Sequence, residues 1–356
     1  MRVATVVGNR PQFVKAAAVS STLRERHEEV LIHTGQHHDA ALSAVFFAEL
    51  DVPEPEHSLE VAGGSNSSQL ARMLTALEPL LRSTAPDVVL VYGDTNSTLA
   101  GALAAAGEGI AIVHVEAGMR SFARSEPEER NRVLTDQLAA LLLCSNAAAT
   151  ENLAREAAPG RAVVVGDVMV DVALAARERA LERTAPLLER LGLASGAYVL
   201  ATAHRAANVD DAGALEQLVI LLETVAEPIV LPVHPRTRAR LERHDLAERA
   251  AAAATLTPPL GYLDFAALLH SARAVLTDSG GVQKEAYLAG VPCVTMRERT
   301  EWTDTLATGW NTLVGLDPGR AVAALASAPP RERPLLWGEP GAGSRVVAAI
   351  EDYAAA

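Results

Sequence analysis

The segment TDSGGVQKEA, residues 277–286, joins an apolar run to a helical stretch, and the rest of the chain is organised around it. The run 274–276 indicates a buried strand, and Gly280 and Gly281 separate it from a helix ending near residue 290. Glycines allow unusual backbone dihedrals and let a ligand approach closely. The free amides and dipole of the following helix would then bind an anion such as phosphate. A tight strand-to-helix turn without a ligand fits the same residues.

The bulk composition indicates a folded, soluble chain of two domains. The 356 residues exceed one ordinary core, and they suit two domains of about 150 residues each. Hydrophobic residues make up 49% and aromatic residues 4%, which is not the composition of a disordered chain. The net charge of −13 argues against a nucleic-acid or membrane partner. A phosphorylated small ligand would therefore need local cations.

Targeting, thiol and metal signals are all weak in this sequence. The chain begins with the strand-like residues 3–7, so we expect no signal peptide. No apolar run reaches the ~20 residues of a membrane span. Cys144 and Cys293 lie in apolar runs, which predicts buried, reduced thiols in a cytoplasmic protein. The ten histidines form no HExxH motif and no Cys/His cluster, so we predict no metal site.

Short apolar runs alternate with amphipathic segments along the chain. Two series of predicted strands flank a charged helix at about 172–191: 3–7, 30–33, 88–92, 110–115, 141–144 and 163–165, then 198–201, 229–232, 255–256, 274–277 and 293–296. This βαβ pattern predicts parallel, helix-covered sheets.

The pattern predicts an α/β fold of two doubly wound Rossmann-like domains that face each other across a cleft. We place the N-terminal domain at 1–168 and the C-terminal domain at 169–340, with a final helix in 341–356 that packs back on the N-terminal domain. Ligands of such open sheets bind beyond the carboxyl ends of the strands. The residues at the strand ends are therefore the first candidates for a site.

Charged side chains follow several strands of the first half. Arg10 and Lys15 follow the first strand, Asp94 and Glu116 follow later ones, and Glu128 lies at the start of a helix. Each has a structural explanation: a solvated charge pair for the cations, an N-cap for Asp94, and a dipole partner for Glu128. A carboxylate directly after an apolar strand, as at Glu116, rarely serves the core. Three carboxylates together suggest general acid/base chemistry.

The second half repeats the arrangement with histidines. His204 and Arg205 follow one predicted strand, and His234 and Arg236 follow the next. Polar strand ends that simply meet water explain these residues as well as a ligand site does.

In order, the motifs resemble those of the non-hydrolysing UDP-N-acetylglucosamine 2-epimerases, a family with the two-domain architecture of GT-B glycosyltransferases. Each motif alone is weak, but the ordered set is highly specific and nearly full length. The matching positions are GxRPxxxK at 8–15, TGQH at 34–37, GDT at 93–95, HVEAGxR at 114–120, PEExNR at 127–132, HR at 204–205, PVH at 232–234, TDSGGxQxEA at 277–286 and MR at 296–297.

The resemblance implies inversion at C2 of a sugar while it is attached to UDP. A base would remove the C2 proton as UDP leaves C1, which gives 2-acetamidoglucal, and UDP would add back as a proton is delivered to the other face. Catalytic roles are thereby implied for five residues: Asp94, Glu116, Glu128, Lys15 and His204. Such chemistry needs proton-transfer groups and a stabilised leaving group.

A second group of residues would bind the substrate. The matching positions are Arg10, Arg205, His234, Phe265, Ser279, Gly280, Gly281, Glu285 and Arg297. Among them Glu285 would bind the ribose hydroxyls and Phe265 would border the uracil. Gln36 matches a second site at which UDP-GlcNAc activates some bacterial members. The resemblance further implies a UDP-sugar as partner, a homodimer, and no cofactor.

Two departures from the family pattern carry predictions. After His204 and Arg205 the family commonly has a polar partner, and here Ala206 and Ala207 follow, so the orientation or pKa of His204 would differ. At the second site Asp39 replaces a glutamine. An acid there would repel an anionic ligand, so we predict weak or absent activation by UDP-GlcNAc.

Several functions stay open at this level. The main prediction is a UDP-GlcNAc 2-epimerase that forms UDP-ManNAc. The tripeptide at 300–302, TEW, also resembles a branch that acts on UDP-2,3-diacetamido-uronic acids. A GT-B glycosyltransferase would share the fold and the nucleotide site, and an inactive UDP-sugar-binding protein would fit Ala206 and Ala207. A hydrolysing variant would instead release free ManNAc and UDP.

Overall fold

The computed structural model describes residues 1–36 and 48–355. The chain divides into two compact units: the first contains Met1–Val172 and Trp337–Ala356, and the second contains Ala173–Leu336. The sequence places the corresponding boundaries at 168 and 340. No helix in the described residues is long and apolar enough to span a membrane.

Thirteen strands are found in the described residues. In chain order they are β1 (Arg2–Val7), β2 (Glu28–His33), β3 (His57–Ser58), β4 (Val88–Tyr92), β5 (Ala111–Ala117), β6 (Leu141–Cys144), β7 (Arg161–Val164), β8 (Val199–Thr202), β9 (Ile229–Pro232), β10 (Thr255–Thr257), β11 (Ala274–Thr277), β12 (Cys293–Thr295) and β13 (Asn311–Leu313).

The helices alternate with these strands. In chain order they are α1 (Arg10–Arg26), α2 (Asn66–Thr84), α3 (Asn96–Gly107), α4 (Pro127–Leu138), α5 (Ala147–Arg155), α6 (Val168–Leu191), α7 (Ala206–Val209), α8 (Ala212–Thr224), α9 (Pro235–Arg243), α10 (Ala247–Ala253), α11 (Tyr262–Ser271), α12 (Gly280–Ala289), α13 (Thr303–Ala307), α14 (Pro318–Ala326) and α15 (Ala342–Ala354).

Each unit contains one parallel sheet. The first has the strand order β3-β2-β1-β4-β5-β6-β7, and the second has the order β10-β9-β8-β11-β12-β13. The order of connection reverses between β1 and β4 in one sheet and between β8 and β11 in the other. Open α/β sheets bind ligands at such a switch point, beyond the carboxyl ends of the strands. The topology therefore selects the loops after β1, β4, β8 and β11.

The central strands are buried on both faces, as parallel sheets require. Every residue of β4 is buried, as is every residue of β1 except Arg2. Helix α1 starts where Asn9 accepts a hydrogen bond from the Gln12 amide, with proline in its first turn. These are ordinary signals for a helix start. The strand thus ends and the helix begins within a few residues, which holds the loop after β1 in place.

Most predicted strands are confirmed, but several ends differ. The strand predicted at 110–115 is β5, which runs to Ala117, and the strand predicted at 163–165 is β7, which covers Arg161–Val164. The charged helix begins at Val168, not at 172. Two short edge strands, β3 and β13, escaped prediction because two or three residues with little apolar pattern carry no periodic signal.

Helix α15 packs against α1 within the first unit. A side chain at Gly343 would overlap the Ala18 carbonyl, so the glycine lets the two helices approach closely. The Asp171 carboxylate accepts hydrogen bonds from the Gly341 and Gly343 amides at 2.7 and 2.8 Å. The last segment of the chain is therefore an integral part of the first unit.

Candidate active site

Three of the five predicted catalytic residues lie on neighbouring elements at the carboxyl edge of the first sheet. Lys15 is on α1, Asp94 follows β4, and Glu116 is near the end of β5. Strands β1, β4 and β5 are adjacent in that sheet. The switch point between β1 and β4 thus brings together side chains that are far apart in sequence.

Lys15 forms an ion pair with Glu116. The two side chains are only 12% and 10% exposed, so the pair is shielded from water. A Cβ at Gly93 would lie 2.9 Å from Lys15 Nζ and 3.3 Å from Glu116 Oε2, which means that this glycine leaves room for the pair. An ion-paired carboxylate is ionised and can accept a proton.

The backbone of Glu116 adopts a left-handed conformation, with φ of 69°. The pairing of β5 with β6 shifts register between Val115 and Ala117, so Glu116 occupies a bulge. Bulges redirect side chains and are common beside active sites. Non-glycine residues in this conformation cost free energy and are found where surrounding contacts enforce it. The bulge turns Glu116 out of the regular alternation of the strand.

Asp94 is paired with Arg132 of α4. The Asn131 side chain also donates to the Asp94 carbonyl at 3.0 Å. The N-cap of α3 is Thr95, which forms a capping box with Thr98, so the predicted N-cap role of Asp94 is wrong. A threonine one residue later caps the helix, and this leaves the Asp94 carboxylate for the arginine.

The two glutamates at the start of α4 differ sharply. Glu129 is buried and accepts hydrogen bonds from the Ser121 and Phe122 amides, both at 2.9 Å, and from Arg132 at 2.9 Å. The carboxylate of Glu128 is half-buried and has no hydrogen bond or ion pair with any residue in the described ranges. Glu129 therefore holds a loop in place, while Glu128 is available to a ligand.

Arg10 and Gln36 lie at the ends of β1 and β2. Arg10 is half-buried at the first position of α1. The Gln36 side-chain oxygen accepts hydrogen bonds from the Ser97 amide at 3.0 Å and the Ser97 hydroxyl at 2.7 Å. The predicted second-site residue thus supports the start of α3. Asp39, on which the activation prediction rests together with Gln36, lies outside the described residues.

In the second unit a buried aspartate connects the turns after β8 and β11. Asp278 is fully buried and accepts hydrogen bonds from the His204 amide at 3.0 Å and the Arg205 amide at 2.9 Å. Burial alone would raise the pKa of Asp278, but the charge of His204 and these hydrogen bonds outweigh it. The pKa of this carboxyl group is therefore lowered, and Asp278 is ionised.

His204 has a polar partner in Asp278, although Ala206 and Ala207 follow it in sequence. Its Nδ1 lies 3.2 Å from Asp278 Oδ1, and the imidazole side chain is 49% exposed. A carboxylate can only accept, so Nδ1 carries the hydrogen and Nε2 is the nitrogen left for a ligand. Asp278 is not adjacent in sequence to His204, and a comparison of neighbouring residues does not reveal it.

The two glycines of the segment 277–286 have different surroundings. A Cβ at Gly280 would collide with the Glu301 carboxylate, whereas one at Gly281 would have no atom within 4 Å. Ser279 is the N-cap of α12 without a side-chain cap hydrogen bond. Its amide donates to Thr277 Oγ1 at 3.0 Å. Open space at the start of a helix is what an anion-binding turn requires.

The remaining predicted binding residues all belong to the second unit. Arg205 is the N-cap residue of α7, and His234 is the exposed N-cap of α9, where its Nδ1 accepts from the Arg236 amide at 3.2 Å. Glu285 is half-buried on α12, and Phe265 on α11 is 3% exposed. Arg297 is buried and donates to Glu301 at 3.0 Å.

Arg132, Glu129 and Asp278 were not among the predicted site residues. Glu129 and Arg132 form an ion pair within α4, and their i,i+3 spacing in the sequence was the available signal for these two residues. No group of three or more His, Cys, Asp or Glu side chains in the described ranges is placed to hold a metal ion.

The fold and the strand-end residues can now be compared with known proteins. The family model described as UDP-N-acetylglucosamine 2-epimerase matches residues 21–351. A UDP-N-acetylglucosamine 2-epimerase homolog of Methanococcus maripaludis is 46% identical, covering 88% of this chain and 89% of that protein. The UDP-2,3-diacetamido-2,3-dideoxy-D-glucuronate 2-epimerase of Pseudomonas aeruginosa is also 46% identical, covering 88% of each chain.

A solved structure extends the similarity to three dimensions. The crystal structure of Methanocaldococcus jannaschii UDP-GlcNAc 2-epimerase in complex with UDP-GlcNAc and UDP is 34% identical. It covers 99% of this chain and 100% of its own, with a TM-score of 0.91.

Two Rossmann-like sheets, a glycine turn at a helix start and carboxylates at strand ends define an α/β enzyme of the GT-B type that acts on nucleotide sugars. The matches narrow this class. The chain belongs to the UDP-N-acetylglucosamine 2-epimerase family, whose members are isomerases.

Proposed function

We propose that this protein interconverts UDP-GlcNAc and UDP-ManNAc by eliminating UDP and adding it back. The C2–H bond breaks, the proton passes to a carboxylate, and the C2–H electron pair forms the C1=C2 double bond. The C1–O bond breaks at the same time, and UDP leaves with its electron pair. The resulting 2-acetamidoglucal is then protonated at C2 on the other face while UDP re-forms the bond at C1. Atoms and charge balance without a redox cofactor.

The three carboxylates of the first unit carry this proposal. Glu116 is paired with Lys15, Asp94 is paired with Arg132, and Glu128 has no partner in the described ranges. Elimination and re-addition need one group to accept a proton and another to donate one. Different partners give the three carboxyl groups different environments, which is how acid and base roles are separated.

The second unit would hold the departing UDP. The turn at Ser279, Gly280 and Gly281 offers helix amides, and His204 offers Nε2. Donors aimed at developing negative charge stabilise a transition state. The same contacts would retain UDP until it adds back, with Arg10, Arg205, His234, Phe265, Glu285 and Arg297 as further binding residues.

The test is the product mixture. Native protein incubated with UDP-GlcNAc should give a second set of anomeric proton signals, those of UDP-ManNAc, with all sugar still attached to UDP. Free UDP and free ManNAc in stoichiometric amounts would contradict the proposal, because they indicate hydrolysis. Turnover that needs an added acceptor would indicate a glycosyltransferase.

A second substrate is favoured by one relative. The 46% identical Pseudomonas relative acts, by its name, on a UDP-2,3-diacetamido-uronic acid. Residues 300–302 resemble this branch as well as ordinary GlcNAc members, and the Glu301 carboxylate lies beside Gly280 of the glycine turn. We therefore propose UDP-2,3-diacetamido-2,3-dideoxy-D-glucuronate as the alternative substrate. Measuring kcat/KM for both compounds decides between them, and the larger value identifies the substrate.

We also propose a cytoplasmic homodimer. Helix α4 exposes Leu134 (51%) and Leu138 (37%), one helical turn apart, and a second copy of the chain would cover them. Two free, buried cysteines fit a reducing compartment. Leu134→Glu combined with Leu138→Glu should yield a monomer by light scattering. Leu335 is also exposed, and the control Leu335→Glu should remain a dimer. A native monomer would refute the dimer.

A further inference from the structure

A buried charged cluster lies behind the candidate carboxylates of the first unit. It consists of His114, Asp136, Arg120 and Glu156, joined by ion pairs of 2.6 to 2.7 Å. The side chains of His114, Asp136 and Arg120 are fully buried, and that of Glu156 is 31% exposed. Buried charges are costly unless they are paired and hydrogen-bonded, so the cluster needs an explanation.

The contacts of His114 determine its protonation. Its Nδ1 lies 2.7 Å from Asp136 Oδ1, and its Nε2 lies 2.7 Å from the Gly93 carbonyl oxygen. A carboxylate and a carbonyl can only accept hydrogen bonds. Both ring nitrogens therefore carry a hydrogen, and the imidazole is a charged imidazolium. With Arg120, this gives two cations to balance the carboxylates of Asp136 and Glu156.

The cluster forms hydrogen bonds with the backbone next to Asp94 and next to Glu116. Gly93, whose carbonyl His114 holds, directly precedes Asp94. The other Asp136 oxygen accepts from the Gly118 amide at 3.1 Å, two residues after Glu116. Glu116 has a positive φ of 69°, and a non-glycine residue keeps such a conformation only where neighbouring contacts enforce it.

We propose that His114, kept charged by Asp136, is a positioning residue that fixes the turns of Asp94 and Glu116 for proton transfer at C2. This proposal rests on the function proposed above. His114 itself contacts no substrate: it acts through the Gly93 carbonyl, and Asp136 acts through the Gly118 amide. Losing either contact would let one carboxylate move relative to the other.

Two substitutions separate the contacts of the ring. The amide of His114→Asn can replace Nδ1 and keep the bond to Asp136, while the longer His114→Gln can place its amide at Nε2 and keep the bond to Gly93. If the hydrogen bond from His114 to the Gly93 carbonyl positions Asp94, His114→Asn should lower kcat by about 10²-fold. This is the cost of misplacing a reacting group by about 1 Å. His114→Gln should recover at least about tenfold of that loss. For both, KM should stay within about twofold, since only the chemical step is affected.

A stability control distinguishes positioning from general damage. Leu77→Ala opens a cavity at a fully buried site on α2 without touching the cluster. It should lower the melting temperature and leave kcat near the native value. The proposal is overturned if Leu77→Ala loses as much kcat as His114→Asn at equal loss of melting temperature, or if His114→Gln is no better than His114→Asn.

The charged ring has its own readout, independent of activity. Nitrogen-15 NMR of the native protein, with the His114 signals assigned from their loss in His114→Asn, should show two protonated ring nitrogens at neutral pH. A neutral ring would overturn the proposal even in an active enzyme. Failure of the native protein to epimerise any UDP-sugar would instead refute the proposed function. The nitrogen-15 signals of the ring would still show whether His114 can donate a hydrogen bond to the Gly93 carbonyl.

Discussion

Glu116 combines an unusual backbone with a shielded partner. Its φ of 69° lies in a bulge of β5, and its carboxylate pairs with Lys15 at 10% exposure. Strain of this kind is expected where the position of a side chain serves a reaction. Among the three carboxylates, Glu116 is therefore the residue whose removal should affect proton transfer most directly.

Glu116→Gln keeps the size of the side chain and removes its ability to take a proton. We expect kcat to fall by a factor on the order of 10²–10⁴, the range for a lost general base, with UDP affinity by calorimetry nearly unchanged. Glu60→Gln is the matched control, since Glu60 is an exposed glutamate that also has positive φ, at 52°. Less than about tenfold loss in kcat would remove Glu116 from the proton-transfer role.

Local sequence signals predicted some residue roles and missed others for physical reasons. Carboxylates after apolar strands stood out because cores rarely need them. Asp94 was open to an N-cap role because a capping preference is local, while its ion pair with Arg132 joins residues 38 positions apart. The bond of the His204 amide to Asp278 spans 74 positions. Contacts across such distances follow from the sheet order, which no local pattern contains.

At the scale of elements, the start of α12 is the clearest candidate for anion binding. Ser279 leaves the cap without a side-chain hydrogen bond, and the space beside Gly281 is open. Two adjacent glycines indicated this site in the sequence, but they left a ligand-free turn equally open. The structure separates the glycines, because only Gly280 is required by packing against Glu301.

Gly281→Ala tests the anion site without damage to the fold. A methyl group there meets no protein atom within 4 Å, and alanine favours a helix over glycine by up to about 1 kcal/mol. We expect an equal or higher melting temperature but UDP binding weakened by at least about tenfold, roughly 1.4 kcal/mol. Gly107→Ala, in equally open space on α3, should leave UDP binding unchanged. Native UDP affinity in Gly281→Ala would refute the site.

Helix α4 carries both Arg132, which pairs with Asp94, and Asp136 of the buried cluster. The pKa of Asp136 is lowered: burial opposes ionisation, but His114 and Arg120 outweigh it. A lowered folded pKa adds stability that is present above the unfolded value, about 3.9, and is lost as pH falls through the folded value.

Asp136→Asn should therefore lose stability at neutral pH more than in acid. Removing one partner of a buried pair costs about 3 kcal/mol at pH 7, and the difference from native protein should shrink below about pH 4. Urea unfolding of both proteins at pH 7 and below about pH 4 measures this difference in the free energy of unfolding. Asp245→Asn, at an exposed aspartate, should differ from native by less than about 0.5 kcal/mol. An equal deficit at both pH values would contradict the charge-based account.

At the scale of the molecule, each unit presents its own set of candidate side chains. The first presents carboxylates and Lys15 at its switch point, and the second presents the glycine turn and the His204–Asp278 pair at its own. Alternating apolar runs were sufficient to predict two parallel sheets, because buried parallel strands are nearly continuously apolar. Strand order and the pairing of charges across each sheet required the folded chain.

The central claim is reversible loss of the C2 proton, and deuterium exchange measures it directly. Native protein incubated with UDP-GlcNAc in D2O, without any acceptor, should replace the C2 hydrogen of UDP-GlcNAc and UDP-ManNAc by deuterium, and Glu116→Gln should slow the exchange. Retention of the C2 hydrogen by a protein that binds UDP, tested with UDP-GlcNAc and with the diacetamido-uronic substrate at high enzyme concentration, would contradict the account.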